Sequence, residues 1–264
     1  MHPIVAQFYF LNKEIIIGSY GLLIIISLFL SASLTFVLAQ KKNYFIADII
    51  EYILLIFSGG FLFALIVGLL YTRGIEKINN MYSIPLISWG GFTGVIIVIV
   101  IFKLAWKTEV LKLLDLISPG YALALSIGRI GCFMGGCCYG KHTNLSCGIY
   151  YTHYLAPASH KLQPLVPIQL ISSLLLFILA IVLVYLFLKS NSPGNTFITL
   201  IIIYSISRFI IEYFRDDSRY YALNLSDGQI FSILMFIAGI ILIFRKNLIN
   251  FIRSKTINQN KNFN

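Results

Sequence analysis

The sequence predicts an all-α polytopic membrane protein, with about seven transmembrane helices around a polar cavity open to lipid. Three observations carry that prediction. Of 264 residues, 58% are hydrophobic and only 11% are charged. The apolar residues gather into runs of roughly 20, the length a helix needs to cross the hydrocarbon core of a bilayer. The charges fall mostly in the short connections between runs, which leave no room for a soluble domain. Residues 1–264 are therefore read as a single integral membrane domain.

The runs justify themselves in order. Ile15 to Ala39 has too long an apolar core, and no good small-residue cleavage site, for a signal peptide, so a helix is expected. Ile46 to Tyr71 carries Asp48 and Glu51 near its start, where acidic side chains either cap a helix or hold a cation; capping is the preferred reading. Ile84 to Leu104 contains "GGFTG" from Gly90 to Gly94, a small-residue pattern that suits helix contact. Ile117 to Met134 is diluted at its end by Arg129 and glycines. Leu165 to Leu188, Thr196 to Phe214 and Gly228 to Phe244 complete the set. Within these runs the periodicity is uninformative, because lipid-facing and bundle-facing sides are both apolar.

Lys and Arg in the connections predict orientation. Lys41, Lys42, Lys103, Lys107, Lys112, Lys189, Arg245, Lys246, Arg253, Lys255 and Lys261 lie on one side. Lys13, Arg73, Lys77, Lys141, Lys161, Arg215 and Arg219 lie on the other. Eleven against seven puts the C-terminus inside and the N-terminus outside. The net charge of +10 is spread over connections and suits an anionic cytoplasmic leaflet, so no nucleic-acid partner is expected.

Two arginines remain inside runs. A charge at membrane depth costs at least ~2.5–3.5 kcal/mol, so each needs a reason. In "IYSISRFIIEYFRDDSR", Tyr204, Arg208, Glu212 and Arg215 follow one another at spacings of four, four and three, which places them on one helix face. Either Arg208 and Glu212 form a structural ion pair, or the stripe walls a cavity in which Arg208 meets an anionic head group. Arg129 lies among glycines in "GRIGCFMGGCCYGK", Gly128 to Lys141. Alone it could snorkel to the interface; with Arg208 it makes a candidate phosphate clamp.

All four cysteines, Cys132, Cys137, Cys138 and Cys147, fall within sixteen positions. Their spacing is not that of common zinc sites, and no metal ligand set is assigned. A disulfide from Cys147, or small buried hydrophobes, are equally open readings. A nucleophilic role would need a base in reach, and His142 and His153 are near only in sequence.

Several stretches together resemble the bacterial prolipoprotein diacylglyceryl transferase family: "SYGLL" at Ser19, "WGGFTGVI" at Trp89, "GRIGCFMGGCCYGK", "PIQL" at Pro167, "YSISRFIIEYFR" at Tyr204 and "SDGQIFS" at Ser226. The resemblance implies seven transmembrane helices, N-terminus outside and C-terminus cytoplasmic, in the bacterial inner (plasma) membrane. It implies an enzyme that moves diacylglyceryl from phosphatidylglycerol to the lipobox cysteine thiol of a prolipoprotein, with no metal or cofactor. The partners implied are phosphatidylglycerol, the prolipoprotein and membrane lipids. By resemblance Arg129, Arg208 and Tyr204 are catalytic. Tyr20, Glu212, Gly140, Gln229 and Arg215 bind substrate, with Glu212 orienting Arg208, Gly140 allowing a tight turn and Gln229 lining the cavity.

The chain also departs from the family pattern. Trp89 stands where the family has a histidine, the favoured thiol base, and indole cannot take a proton. Cys132 and Cys137 replace an asparagine and a glutamate, and Lys141 stands where arginine is common. The family's arginine-containing segment is not visible in "FLFALIVGLLY". Two alternatives accompany the transferase reading: a paralogue that passes a lipid or phospho group to another acceptor, and a non-catalytic protein that binds or transports anionic lipid.

Overall fold

The computed structural model describes residues 3–10, 13–44, 110–153, 156–190, 192–216, 220–222 and 225–261, with single positions at 59, 62 and 66. The predicted spans Ile46 to Tyr71 and Ile84 to Leu104, with Asp48, Glu51, Trp89 and the Gly90 to Gly94 motif, lie outside these residues apart from the three single positions. The chain divides into two compact units, Met1–Leu34 with Asp115–Asn264, and Thr35–Leu114. Every site residue discussed below belongs to the first.

Among the described residues five helices are long and apolar enough to cross a membrane, and the chain is a mostly helical, multi-pass membrane protein. They are α1 (Ser19–Lys41), α2 (Val110–Gly135), α3 (Ile168–Lys189), α4 (Asn195–Tyr213) and α5 (Asp227–Lys261), of which Asp227–Leu248 is the membrane-length part. Two short hairpins accompany the helices: strands β1 (Ile4–Phe10) and β2 (Lys13–Gly18) pair antiparallel, and so do β3 (Tyr220–Ala222) and β4 (Leu225–Ser226). The β-branched run Ile15 to Ile17 lies in β2, where such side chains fit a pleated surface. Helix α1 accordingly starts at Ser19, four residues later than its apolar run. In contrast α2 is already helical at Val110, the first described residue of that stretch and seven before Ile117, because Lys112 and Asp115 dilute an apolar pattern that the helix nonetheless continues.

Helices α2, α3 and α4 share a core of Ala122, Leu179, Ala180, Leu183 and Leu200, against which Tyr121, Phe197 and Tyr204 pack. Small residues set the closest approaches. A Cβ on Gly131 would lie 3.3 Å from the Tyr20 ring, and Gly128 and Gly135 face Ile24 and Tyr20 on the same side of α2, so a glycine seam seats α1. Likewise a Cβ on Gly239 would lie 2.8 Å from Ile202, which brings α5 against α4. The Ser126 hydroxyl donates to the Ser173 carbonyl at 2.8 Å and ties α2 to α3.

One end of α4 is capped from another helix. Asp115 of α2 accepts from the Gly194 N–H at 2.6 Å and the Phe197 N–H at 2.8 Å, satisfying donors that the first turn leaves free. The other end gathers the C-termini of α2 and α4 and the first turns of α1, α3 and α5. There residues 139–141 lie between two backbone segments: the Gly140 N–H donates to the Val166 carbonyl at 3.2 Å and the Lys141 N–H to the Phe214 carbonyl at 2.9 Å.

Candidate functional site

The glycine pair after Met134 explains how α2 ends. Gly136 has φ of 71°, its N–H donates to the Phe133 carbonyl at 3.2 Å, and the Cys137 N–H donates to the Cys132 carbonyl at 3.1 Å. These are the two bonds of a Schellman motif. Side chains are excluded at Gly136 by space as well, since a Cβ would sit 2.5 Å from that of Ala156. Reversing direction here folds Cys137 and Cys138 back onto Cys132, and the three sulfurs lie within 4.8 Å of one another. Cys138 itself sits at φ of 57°, a conformation rare outside glycine. Its thiol is lowered from the usual range by the two neighbouring thiols and by the positive charge of Arg215 and Arg129 nearby, and the Cys137 thiol donates to the Cys132 carbonyl at 3.7 Å. All four cysteines are free thiols, and Cys147 is exposed outside the cluster.

A buried glutamine fixes this turn. Gln169, in the first turn of α3, donates from Nε2 to the Cys137 carbonyl at 2.8 Å and pairs with the Tyr151 hydroxyl. The segment it holds has its own core, formed by Tyr139, Tyr151, Ala156, Ala158 and Leu165. Sequence reasoning assigned Gln169 and Tyr151 no role. A fully buried amide at the start of an apolar helix was the available signal in "PIQL".

Beside the turn runs the arginine stripe of α4. Glu212 is buried, and its Oε2 accepts from Arg208 at 2.7 Å and from Arg215 at 3.0 Å. The expected ion pair between Arg208 and Glu212 is present, and it leaves Arg208 only partly satisfied. Arg208 Nη1 is buried and has no hydrogen-bond partner among the described residues. Arg129 of α2 lies close enough to Arg208, Tyr204 and Arg215 to interact electrostatically. Arg129, Arg208 and Arg215 thus lie within electrostatic reach of one another in a half-buried setting. An orphaned buried donor costs ~1–3 kcal/mol, and an anion with several acceptor oxygens relieves it.

Other expected site residues divide into those brought to this place and those with different work. Tyr204 and Tyr20 are brought to it; Tyr20, in the first turn of α1, interacts electrostatically with Arg129 and the three clustered cysteines. Gly140 does not make the expected tight turn. It lacks a positive φ, and a Cβ there would lie 2.6 Å from the Val166 carbonyl oxygen, so its part is to let three backbone segments meet. Gln229 accepts from the Ser226 N–H at 3.0 Å while its own N–H donates to the Ser226 hydroxyl at 3.2 Å. That reciprocal pair is a capping box at the start of α5. Next to it, a Cβ on Gly228 would lie 2.6 Å from Glu212 Cδ, so the glycine is what admits the carboxylate.

Comparisons with known proteins place the chain in a family. The chain is 34% identical over 232 residues to phosphatidylglycerol–prolipoprotein diacylglyceryl transferase 2 of Clostridium perfringens (strain 13 / Type A), covering 86% of this chain and 90% of that one. It is 32% identical over 250 residues to phosphatidylglycerol–prolipoprotein diacylglyceryl transferase of Clostridium tetani (strain Massachusetts / E88), covering 91% and 96%. The family described as prolipoprotein diacylglyceryl transferase matches residues 7–245, a stretch that takes in the glycine seam, the cysteine turn and the arginine stripe, and the chain belongs to that family.

Proposed function

We propose that this chain transfers the diacylglyceryl group of phosphatidylglycerol to the lipobox cysteine of a prolipoprotein. The single observation that carries the reading is the buried Nη1 of Arg208, without a hydrogen-bond partner among the described residues, beside Arg129 and Arg215. A phosphodiester head group supplies the missing acceptor. When the acceptor thiolate attacks the glyceryl carbon, the carbon–oxygen bond to phosphate breaks and its electron pair leaves on the phosphate oxygen. Arg129 and Arg208 stand where that charge grows, and donors fixed in advance at such a place lower the barrier. Arg215 and Glu212 hold Arg208 in position, and the hydroxyls of Tyr204 and Tyr20 serve the head group. Gly140, through the backbone junction, and Gln229, through its cap, position these elements instead of touching lipid.

The same reading gives seven spans around a lipid-accessible cavity in a bacterial plasma membrane, with the site at the outer leaflet, the N-terminus outside and the C-terminus cytoplasmic. Membranes containing the chain should release glycerol phosphate from phosphatidylglycerol only when a lipobox peptide with a cysteine is present. Release that is equal with a serine peptide would contradict thiol transfer.

A further inference from the structure

The thiol cluster is not used by the chemistry above. Cys132, Cys137 and Cys138 have sulfurs within 4.8 Å of one another, half-buried and fixed by the Schellman turn and the Gln169 bond. A zinc-class ion with metal–sulfur bonds of ~2.3 Å needs tetrahedral sulfurs roughly 3.8 Å apart, a closure that side-chain rotation supplies. Arg129 and Arg215 lie close enough to Cys138 to offset the negative charge of bound thiolates. We propose that these three cysteines bind one thiophilic ion of the Zn(II) class, and that its fourth position takes the acceptor thiol.

Three protein ligands with one open position are the pattern of catalytic zinc, whereas structural sites are closed. A thiol entering that position gives its proton to water, because a coordinating thiol is deprotonated outright. Its sulfur then forms the bond to the glyceryl carbon as the carbon–oxygen bond breaks toward phosphate, and the neutral thioether leaves the ion. Glu212, engaged by Arg208 and Arg215, is poorly placed to take that proton itself. The metal site stands on the cluster alone, and the assignment of its fourth ligand rests on the transferase reading.

The test is a cobalt(II) titration of the full-length, reduced, metal-free protein in detergent, followed optically. One equivalent per chain should produce a sulfur-to-cobalt band in the near ultraviolet, displaced by zinc. Cys137→Ser and Cys138→Ser should each lose the band, while Cys147→Ser keeps it. A lipobox peptide with a cysteine should shift the visible cobalt bands, and its serine counterpart should not. Absence of the band in the wild type, or its persistence in the two serine variants, overturns the metal site. A shift with both peptides, or with neither, overturns the fourth ligand. Should the variants fail to fold, the wild-type titration decides the matter. No turnover is needed, so an active protein without these spectra refutes this proposal alone, and an inactive protein that shows them refutes transfer alone.

Discussion

Arg208 gives one guanidinium nitrogen to Glu212 and keeps another buried without a partner among the described residues, and that division sets what its replacement does. If leaving-group charge develops beside Arg208 as proposed, Arg208→Ala removes a donor from it and should lower kcat about 100- to 1,000-fold. Arg208→Lys should not rescue it, since a point charge cannot reach carboxylate and phosphate with one rigid fork; transfer to a lipobox peptide by both variants checks this. Glu212→Gln acts differently. It leaves Arg208 and Arg215 as buried cations without their counter-charge, a loss of ~3–5 kcal/mol, and should lower the thermal unfolding midpoint as well as the rate. The stripe from Tyr204 to Arg215 was legible because helical spacing alone aligns it. Gln169 was not, since what a buried amide bonds depends on where the Cys137 carbonyl turns. Gly140 was legible as a special position, but the choice between a turn and a close approach depends on the segments from Pro164 to Val166 and from Phe214 to Asp216, which sequence does not bring together.

At the scale of elements, glycines decide how near the helices come. Gly228→Ala would push a methyl into the Glu212 carboxylate and displace the arginine pair, with overpacking of this kind costing ~1–3 kcal/mol. The expected outcome is a chain that still inserts in the membrane but loses most of its transfer activity, measured on matched amounts of folded protein. At the opposite end, Asp115→Ala removes the acceptor for two N–H groups of α4 and should destabilise by ~0.5–2 kcal/mol. Its thermal unfolding midpoint should fall while kcat stays near that of the wild type. Apolar length located each described helix, but its boundaries followed other rules. The β-branched residues before Ser19 pair as a strand, and α2 carries Asp115 inside it because the carboxylate caps a neighbour that lies about 80 residues away in the chain. Neither partner is visible to a local hydropathy window.

For the whole molecule, composition was enough to place the chain in a membrane, because a chain that is 58% hydrophobic has too little polar surface for water. It could not choose among uses of a buried positive site. What the fold adds is convergence: the C-termini of α2 and α4 and the first turns of α1, α3 and α5 bring residues that are almost 200 positions apart to one end, so the arginines, the tyrosines and the thiols lie within electrostatic reach of one another. The most direct measurement is mass spectrometry of a one-cysteine lipobox peptide, after incubation with phosphatidylglycerol and membranes that contain either the wild type or Arg208→Ala. The account predicts a diacylglyceryl thioether on the peptide with the wild type and almost none with the variant. Equal product from both, or none from the wild type while phosphatidylglycerol stays bound to it, would contradict the account.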